Sequence, residues 1–383
     1  MARVVILGGG FGGLSAATQL RGLLDRTDEV VLVARDDAFA MGWTKLWDLT
    51  GIRSLAEGSR SLRTLADRGV RFVQAEVTAI DPQACAADTA AGRFEADALL
   101  VALGAGDHPD HVSQLDGQCA HNLYSFQALH GMKAALERLT AGRLLLGVMG
   151  QPIKCPPAPF EAALALDEHF RARGLREHVE LEVATPSPGA LPVAGPQASR
   201  MIADALAERG IGLRTEHRLE QVDTAARSAR FDTGEVVEFS QLFAIPANVP
   251  PPVVAASGLA GAGGWIEPDP TTLRTAYERV YAVGDCTTVP TATAALPKAG
   301  VFADAEARVA ARNIAADLGY GQPAAFDGQG HCFLEFPGRK VARVGGDFFA
   351  RPEPAVSLDE PSAEAFEAKL AFERERLTAW FGG

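Results

Sequence analysis

The sequence predicts an α/β protein: two Rossmann-like domains on parallel sheets, the second one degenerate, followed by a small C-terminal region. Three observations carry this. A glycine-rich turn joins an apolar run to a helical run at the N-terminus. A second apolar run, Leu144 to Gly150, opens a unit of the same kind but meets prolines where the turn should be. A third, Val280 to Val283, ends in Gly284-Asp285 late in the chain. Short apolar runs alternating with helical patterns are the signature of βαβ units. The predicted divisions are 1–113 for the first domain, 114–250 for the second, 251–318 for the return to the first, and 319–383 for the C-terminal region.

The elements follow in order. Arg3 to Leu7 reads as a buried strand and Leu14 to Leu23 as a helix. Between them lies Gly8-Gly9-Gly10-Phe11-Gly12-Gly13, a G-x-G-x-x-G turn. Gly8 allows the tight turn, Gly10 lets a pyrophosphate approach the backbone, and Gly13 lets helix and strand pack closely. Phe11 and Gly12 complete the candidate dinucleotide loop. A second strand, Glu29 to Val33, follows at the expected distance. The position after it usually carries an acid for a ribose hydroxyl. Here it is Ala34, followed by Arg35 and Asp36. Either Asp36 takes that role or Arg35 contacts the adenosine differently. Arg71 to Ile80 is a further strand, and places Val77 beside the cofactor. Ala96 to Val101 is an apolar strand whose small-residue turn brings Ala102 and Gly104 to the same place. Pro297 to Leu318 reads as a helix, with Pro297 in its first turn and Gly319 as its stop.

The second domain lacks a phosphate loop. After Gly150 comes Gln151-Pro152-Ile153-Lys154-Cys155-Pro156-Pro157-Ala158-Pro159. A pyrophosphate is held by backbone N–H groups, and proline has none. NAD(P)H is therefore not expected there. Phe160 to Arg173 is a helix candidate with Cys155 just before its first turn. A helix N-terminus and the neighbouring Lys154 are expected to lower the thiol's pKa. Glu161 lies early in the helix and suits either general acid–base work or simple matching of the helix dipole.

Composition excludes other classes. The 383 residues are 47% hydrophobic and 22% charged, as in a globular protein with two or three cores. A net charge of −12 argues against nucleic acid. No run approaches the length of a membrane-spanning helix. The N-terminus runs straight into the glycine motif, so a cytoplasmic protein is expected. Five cysteines do not make a secreted disulfide framework. No metal-ligating set is assigned.

The strand pair ending at Ala102 and at Gly284-Asp285 resembles that of the flavoproteins with two dinucleotide domains, the glutathione-reductase-like fold. The resemblance implies FAD. It implies that Asp285, after Gly284, binds the ribityl chain. It also directs the N-terminus of the 297–318 helix, with Lys298 and Ala299, at the flavin. The segment Gly150 to Ala163 is similar to the cysteine segment of sulfide:quinone oxidoreductases and of flavocytochrome c sulfide dehydrogenase flavoproteins. Pro297-Lys298-Ala299-Gly300-Val301-Phe302-Ala303, Gly328 to Phe333, and the closing run Phe372 to Gly382 resemble the same proteins.

That resemblance implies a redox pair, Cys155 with Cys332. Sulfide attacks their oxidised bridge. One cysteine carries the new sulfur as a persulfide, and the other passes two electrons to the flavin and on to a quinone or other acceptor. Cys85, Cys119 and Cys286 read as structural. Some relatives attach flavin through a cysteine near Phe39 to Trp47. This chain has none there, so FAD is expected to be non-covalent, with Lys45 near the pyrophosphate. Phe348 and Phe349 suit either a quinone sandwich or plain core. The closing helix Ala363 to Phe381 carries an apolar stripe at Phe366, Leu370, Leu377, Trp380 and Phe381. Its acidic opposite face favours docking on its own domain over peripheral contact with the inner membrane face. A homodimer is common in this fold class. The rival readings are an NADH:quinone oxidoreductase of the same fold and a flavin redox sensor without turnover.

Overall fold

The computed structural model describes residues 1–382. The chain opens with β1 (Arg3–Leu7), α1 (Phe11–Leu23), β2 (Glu29–Ala34), α2 (Gly42–Thr50), β3 (Arg71–Gln74) and β4 (Ala98–Val101). Val4 to Leu7 and Ala98 to Val101 are all 0% exposed. Strands covered on both faces read as unbroken apolar runs, and that is why these two were legible. The second sheet comprises β5 (Ala120–Asn122), β6 (Gly142–Val148), β7 (Val179–Ala184), β8 (Gly212–Arg214) and β9 (Gln241–Ile245). Helices α3 (Leu129–Arg138) and α4 (Ala158–Ala172) flank β6 in sequence. Its order is β5-β9-β6-β7-β8, all parallel.

The chain then returns. β10 (Val280–Ala282) joins the first sheet, giving the parallel order β10-β4-β1-β2-β3. α5 (Gly300–Asp317) packs along α1 through alanines and glycines that let the two backbones approach. Three antiparallel strands follow: β11 (Gln329–Phe336), β12 (Lys340–Asp347) and β13 (Ala355–Leu358). α6 (Ala363–Phe381) closes the chain, its N-terminus capped by the Ser362 hydroxyl accepting from Ala365 N–H.

Three sequence expectations are corrected. Helix α1 begins at Phe11, inside the glycine turn, because the turn itself supplies its first N–H groups. The single strand expected over Arg71 to Ile80 is two. Its second half, Val77–Asp81, belongs to a separate antiparallel sheet with Ala86–Thr89 and Gly92–Glu95. The helix expected from Pro297 begins at Gly300, and Ala299 is extended at φ −156°. Pro297 and Lys298 thus form a lead-in segment and not a first turn.

The closing helix docks on its own chain. Phe366, Leu377 and Trp380 are buried, and so are Lys369 and Glu373. Trp380 meets Phe11 and Phe39 edge to face at 5.4 and 5.2 Å, and its indole N–H donates to Ser15 Oγ at 3.0 Å. No helix among the described residues is long and apolar enough to cross a membrane. Phe348 is buried and half-buried Phe349 packs beside it: they meet Phe302 and Phe326 edge on at 4.8 and 5.5 Å.

Candidate active site

The nucleotide loop has the shape its glycines require. A Cβ on Gly8 would lie 2.1 Å from the Ala102 carbonyl oxygen, and one on Gly13 only 1.8 Å from that of Gly8. Those two positions admit no side chain. A Cβ on Gly10 would meet nothing within 4 Å. Gly10 therefore faces open space at the N-terminus of α1, where a phosphate can approach the N–H groups. Gly104, at φ 69°, also borders open space. The Phe11 ring lies against Gly300, where a Cβ would come within 2.5 Å of it. That contact fixes the start of α5 over the loop. Ala34 is buried at the end of β2, and Arg35 is exposed, 3.2 Å from Asp36.

The segment after β10 completes this wall. Burial pushes the Asp285 carboxyl up, against the pull of Lys298 and Lys154. Its carboxylate has no hydrogen-bond donor among the described residues, which leaves it available to a ligand hydroxyl. Lys298 was expected to add charge beside the flavin. Its ammonium donates to the carbonyls of Asp285 (2.8 Å) and Thr287 (2.9 Å) and lies 3.5 Å over the Trp265 ring. It is a latch on this segment. Glu306, which sequence reasoning missed, accepts from Gly284 N–H at 2.6 Å. Burial pushes its carboxyl up to about 7. An open anion-binding turn, a donor-free Asp285 and a small-residue rim fit FAD.

The second site lies beyond β6. Gly150 is hemmed in: a Cβ there would meet Ala247 at 3.0 Å and His111 at 3.3 Å. The loop runs on through Pro152, whose carbonyl accepts from Asn248 N–H at 2.7 Å. It ends at Cys155, held at φ 49°. A left-handed conformation is unusual for a residue with a side chain and is commonest at functional positions. Three bonds hold it. Cys155 N–H donates to the Lys298 carbonyl at 2.7 Å. Its own carbonyl accepts from Ala158 N–H at 2.9 Å and from the Tyr124 hydroxyl at 3.2 Å. Cys155 is thereby tied to the lead-in segment of α5.

Cys332 sits on β11, and its thiol lies close enough to that of Cys155 for each to shift the other's titration; neither is bridged. The structure thus brings together two cysteines remote in sequence. It reverses one expectation. The neighbouring Cys155 lowers the Cys332 thiol, while Cys332 and burial hold Cys155 well above the usual thiol range. The helix N-terminus and Lys154 were expected to lower the Cys155 thiol. Lys154 instead points to Asp107, 3.7 Å away.

The other cysteines stand apart. Burial pushes Cys286 up to about 12 and Cys85 up to about 11. Burial and the Asp116 carboxylate raise Cys119, whose thiol lies 3.4 Å from that carboxylate.

Behind the thiol pair is a buried charge cluster. Glu161 accepts from Glu335 N–H at 2.8 Å. Lys369, on α6 and 1% exposed, stands 3.4 Å from Glu161 and 2.7 Å from Glu335. Trp47 Nε1 donates to the Glu335 carboxylate at 3.0 Å. Burial raises the Glu161 carboxyl against the pull of Lys369. Burial also penalises the Lys369 ammonium, but Glu161 and Glu335 outweigh it and hold it above its ordinary value. Sequence reasoning found Glu161 and missed Lys369. The signal was present: Phe366, Lys369, Glu373, Leu377 and Trp380 follow one another at three or four residues, so both charges lie on the apolar stripe.

Lys45 is also displaced from its expected place. α2 packs against α3 and α4 of the second domain and buries Thr44, Lys45, Trp47 and Leu49. Lys45 lies over the rings of Tyr124 (5.6 Å) and Phe126 (5.2 Å), on the Cys155 side, and not at the pyrophosphate. Val77 is half-buried on its separate sheet.

Known proteins resemble this chain in sequence and fold. Mouse "Sulfide:quinone oxidoreductase, mitochondrial" is 25% identical over 376 residues, 93% of this chain and 80% of the relative. "Sulfide-quinone reductase" of Aquifex aeolicus is 26% identical over 344 residues, 82% of this chain and 76% of the relative. The solved sulfide:quinone oxidoreductase of Aquifex aeolicus superposes with a TM-score of 0.87 at 23% identity, covering 100% of this chain and 92% of that one. The sequence profile of the pyridine nucleotide-disulphide oxidoreductases matches residues 2–299, and the chain belongs to that family.

Proposed function

We propose that this chain is an FAD-dependent enzyme that oxidises sulfide, or a related sulfur compound, and delivers the electrons to a quinone. The observation that carries the reading is the meeting of Cys155 and Cys332 beside Glu161, on the wall shared with the lead-in to α5. Relatives named for sulfide and quinone support the substrate and the acceptor. Bound non-covalently, FAD supplies a two-electron acceptor. Gly8, Gly10, Phe11, Gly12 and Gly13 would hold its pyrophosphate. Ala34, Arg35 and Val77 would line the adenosine side. Ala102, Gly104, Gly284, Asp285 and Ala299 would line the ribityl chain and flavin.

The protein's own part is thiol chemistry. A sulfur nucleophile attacks one sulfur of the oxidised Cys155–Cys332 bridge. The S–S bond breaks, and its electron pair leaves on the other cysteine as a thiolate. Glu161, buried and raised, is placed to hold a proton within the cluster. The filled loop after Gly150 supports sulfide over NADH as the reductant. Divisions at residues 113, 250 and 318, a cytoplasmic location with peripheral contact at the inner membrane face, and a homodimer complete the reading. Vesicle flotation and sedimentation test the last two.

The central test is anaerobic titration of the flavin absorbance. Bleaching by sulfide and not by NADH is expected, with Cys155→Ser and Cys332→Ser each abolishing it. Bleaching by NADH alone would overturn the reading.

A further inference from the structure

Lys45 is 8% exposed, yet its ammonium has no carboxylate within ion-pair distance and no hydrogen-bond acceptor among the described residues. Lys154, Asp107 and Cys155 are the titratable groups that bear on it. Asp107 is already engaged. Lys154 Nζ stands 3.7 Å from it, and it accepts from the side-chain amides of Asn122 at 2.7 Å and Asn248 at 3.1 Å. Lys45 therefore faces two rings, a second cation and the Cys155 site. Tyr124 bridges the two residues: its ring lies under the ammonium and its hydroxyl donates to the Cys155 carbonyl. A buried, unpaired cation is costly. It makes physical sense where negative charge arrives during turnover.

We propose that Lys45 is the counter-charge for a thiolate formed at Cys155 when the Cys155–Cys332 bridge opens. The step rests on the sulfide reading and balances without a further reagent. Hydrosulfide attacks Cys332 Sγ, forming a new S–S bond, and its proton stays on the resulting persulfide. The Cys155–Cys332 bond breaks, and its electron pair leaves on Cys155. In the dithiol, Cys155 is held neutral chiefly by the neighbouring Cys332, then by burial and by Glu161, against the pull of Lys369. With Cys332 capped, the first of these is removed and Lys45 remains. Burial and Lys154 push the Lys45 ammonium down to about 7, while a thiolate at Cys155 pulls it back up. Lys45 thus keeps its proton beside the new thiolate, and no further proton is needed.

The test needs no sulfide. In flavin-loaded Cys332→Ser protein, the rate of Cys155 alkylation by iodoacetamide is followed against pH by mass spectrometry. An opposite charge nearby shifts such a midpoint by about one unit or more. Lys45→Met is therefore expected to slow alkylation at neutral pH about tenfold and move the midpoint upward. Lys45→Arg, which keeps the charge, should retain the parent profile. An unchanged profile in Lys45→Met overturns the proposal, as does an equal shift in Lys45→Arg. Thermal midpoints of both variants establish that they are folded. Failure here with normal bleaching by sulfide sinks the role of Lys45 alone. A shifted profile in a protein that sulfide does not bleach sinks the substrate reading alone.

Discussion

Replacing Lys369 by methionine tests the cluster behind the thiols. The lysine is 1% exposed, with Glu161 at 3.4 Å, Glu335 at 2.7 Å and the Trp43 and Trp47 rings at 5.1 and 5.4 Å. Methionine fills similar volume, so little cavity forms. The loss is electrostatic: two carboxylates stay behind without their cation. Removing one partner of a buried pair costs about 3–5 kcal/mol. That corresponds to a fall of roughly 6–20 °C in the thermal midpoint. The sign with pH follows from Glu161. Its carboxyl is already raised in the folded state, and loss of Lys369 raises it further. A raised carboxyl favours the folded state when protonated, so the deficit narrows as pH falls from 7 toward 5. The Lys369 pKa is also raised, so its own contribution is complete at pH 7 and is lost only in strong alkali. The assay is thermal unfolding of flavin-loaded protein at both pH values, with Lys369→Met/Glu161→Gln as the second variant. The double variant should recover at least half of the loss. A deficit under about 1 kcal/mol, or one independent of pH and of Glu161, would refute the assignment.

Glu306→Gln keeps the acceptor for Gly284 N–H but cannot ionise. Because the folded pKa is raised to about 7, wild-type stability falls as pH rises from 5 to 8, by about 3 kcal/mol in all, and the variant should show no such slope in denaturant titrations. Gly10→Ala should fold normally yet retain less flavin, read as the ratio of flavin to protein absorbance. Gly13→Ala, whose methyl would strike the Gly8 carbonyl, should lose both flavin and several kcal/mol of stability. Trp380→Ala removes a fully buried ring and its bond to Ser15, and should cost about 3–5 kcal/mol by urea denaturation.

Much of the fold was legible because its parallel strands are buried on both faces and because glycines bound the first loop. The helix Ala363–Phe381 was read with its ends correct, since Ser362 caps it and its apolar stripe is regular. Cys155 and Cys332 were named by resemblance; no spacing rule brings two such distant positions together. The misplacements share one cause, tertiary direction. Lys45 was assigned because its segment was expected to run beside the flavin, but α2 packs on α3 and α4 of the second domain. Lys298 was placed on the first turn of a helix, but it lies in the lead-in segment, where its ammonium donates to two backbone carbonyls. Lys369 and Glu373 were counted on the solvated face of a helix, because charge alone marks a residue as exposed until its partners are known.

The closing helix touches both ends of the chemistry. Near its start Lys369 is locked to Glu161 and Glu335; near its finish Trp380 is locked to Ser15 and Phe11, at the nucleotide loop. It works as a strut between two rooms. Clipping it by limited proteolysis would release cofactor and unmask both thiols in a single event, so colour and alkylation would change together. A tag fused at the C-terminus is tolerated only if the strut stays seated.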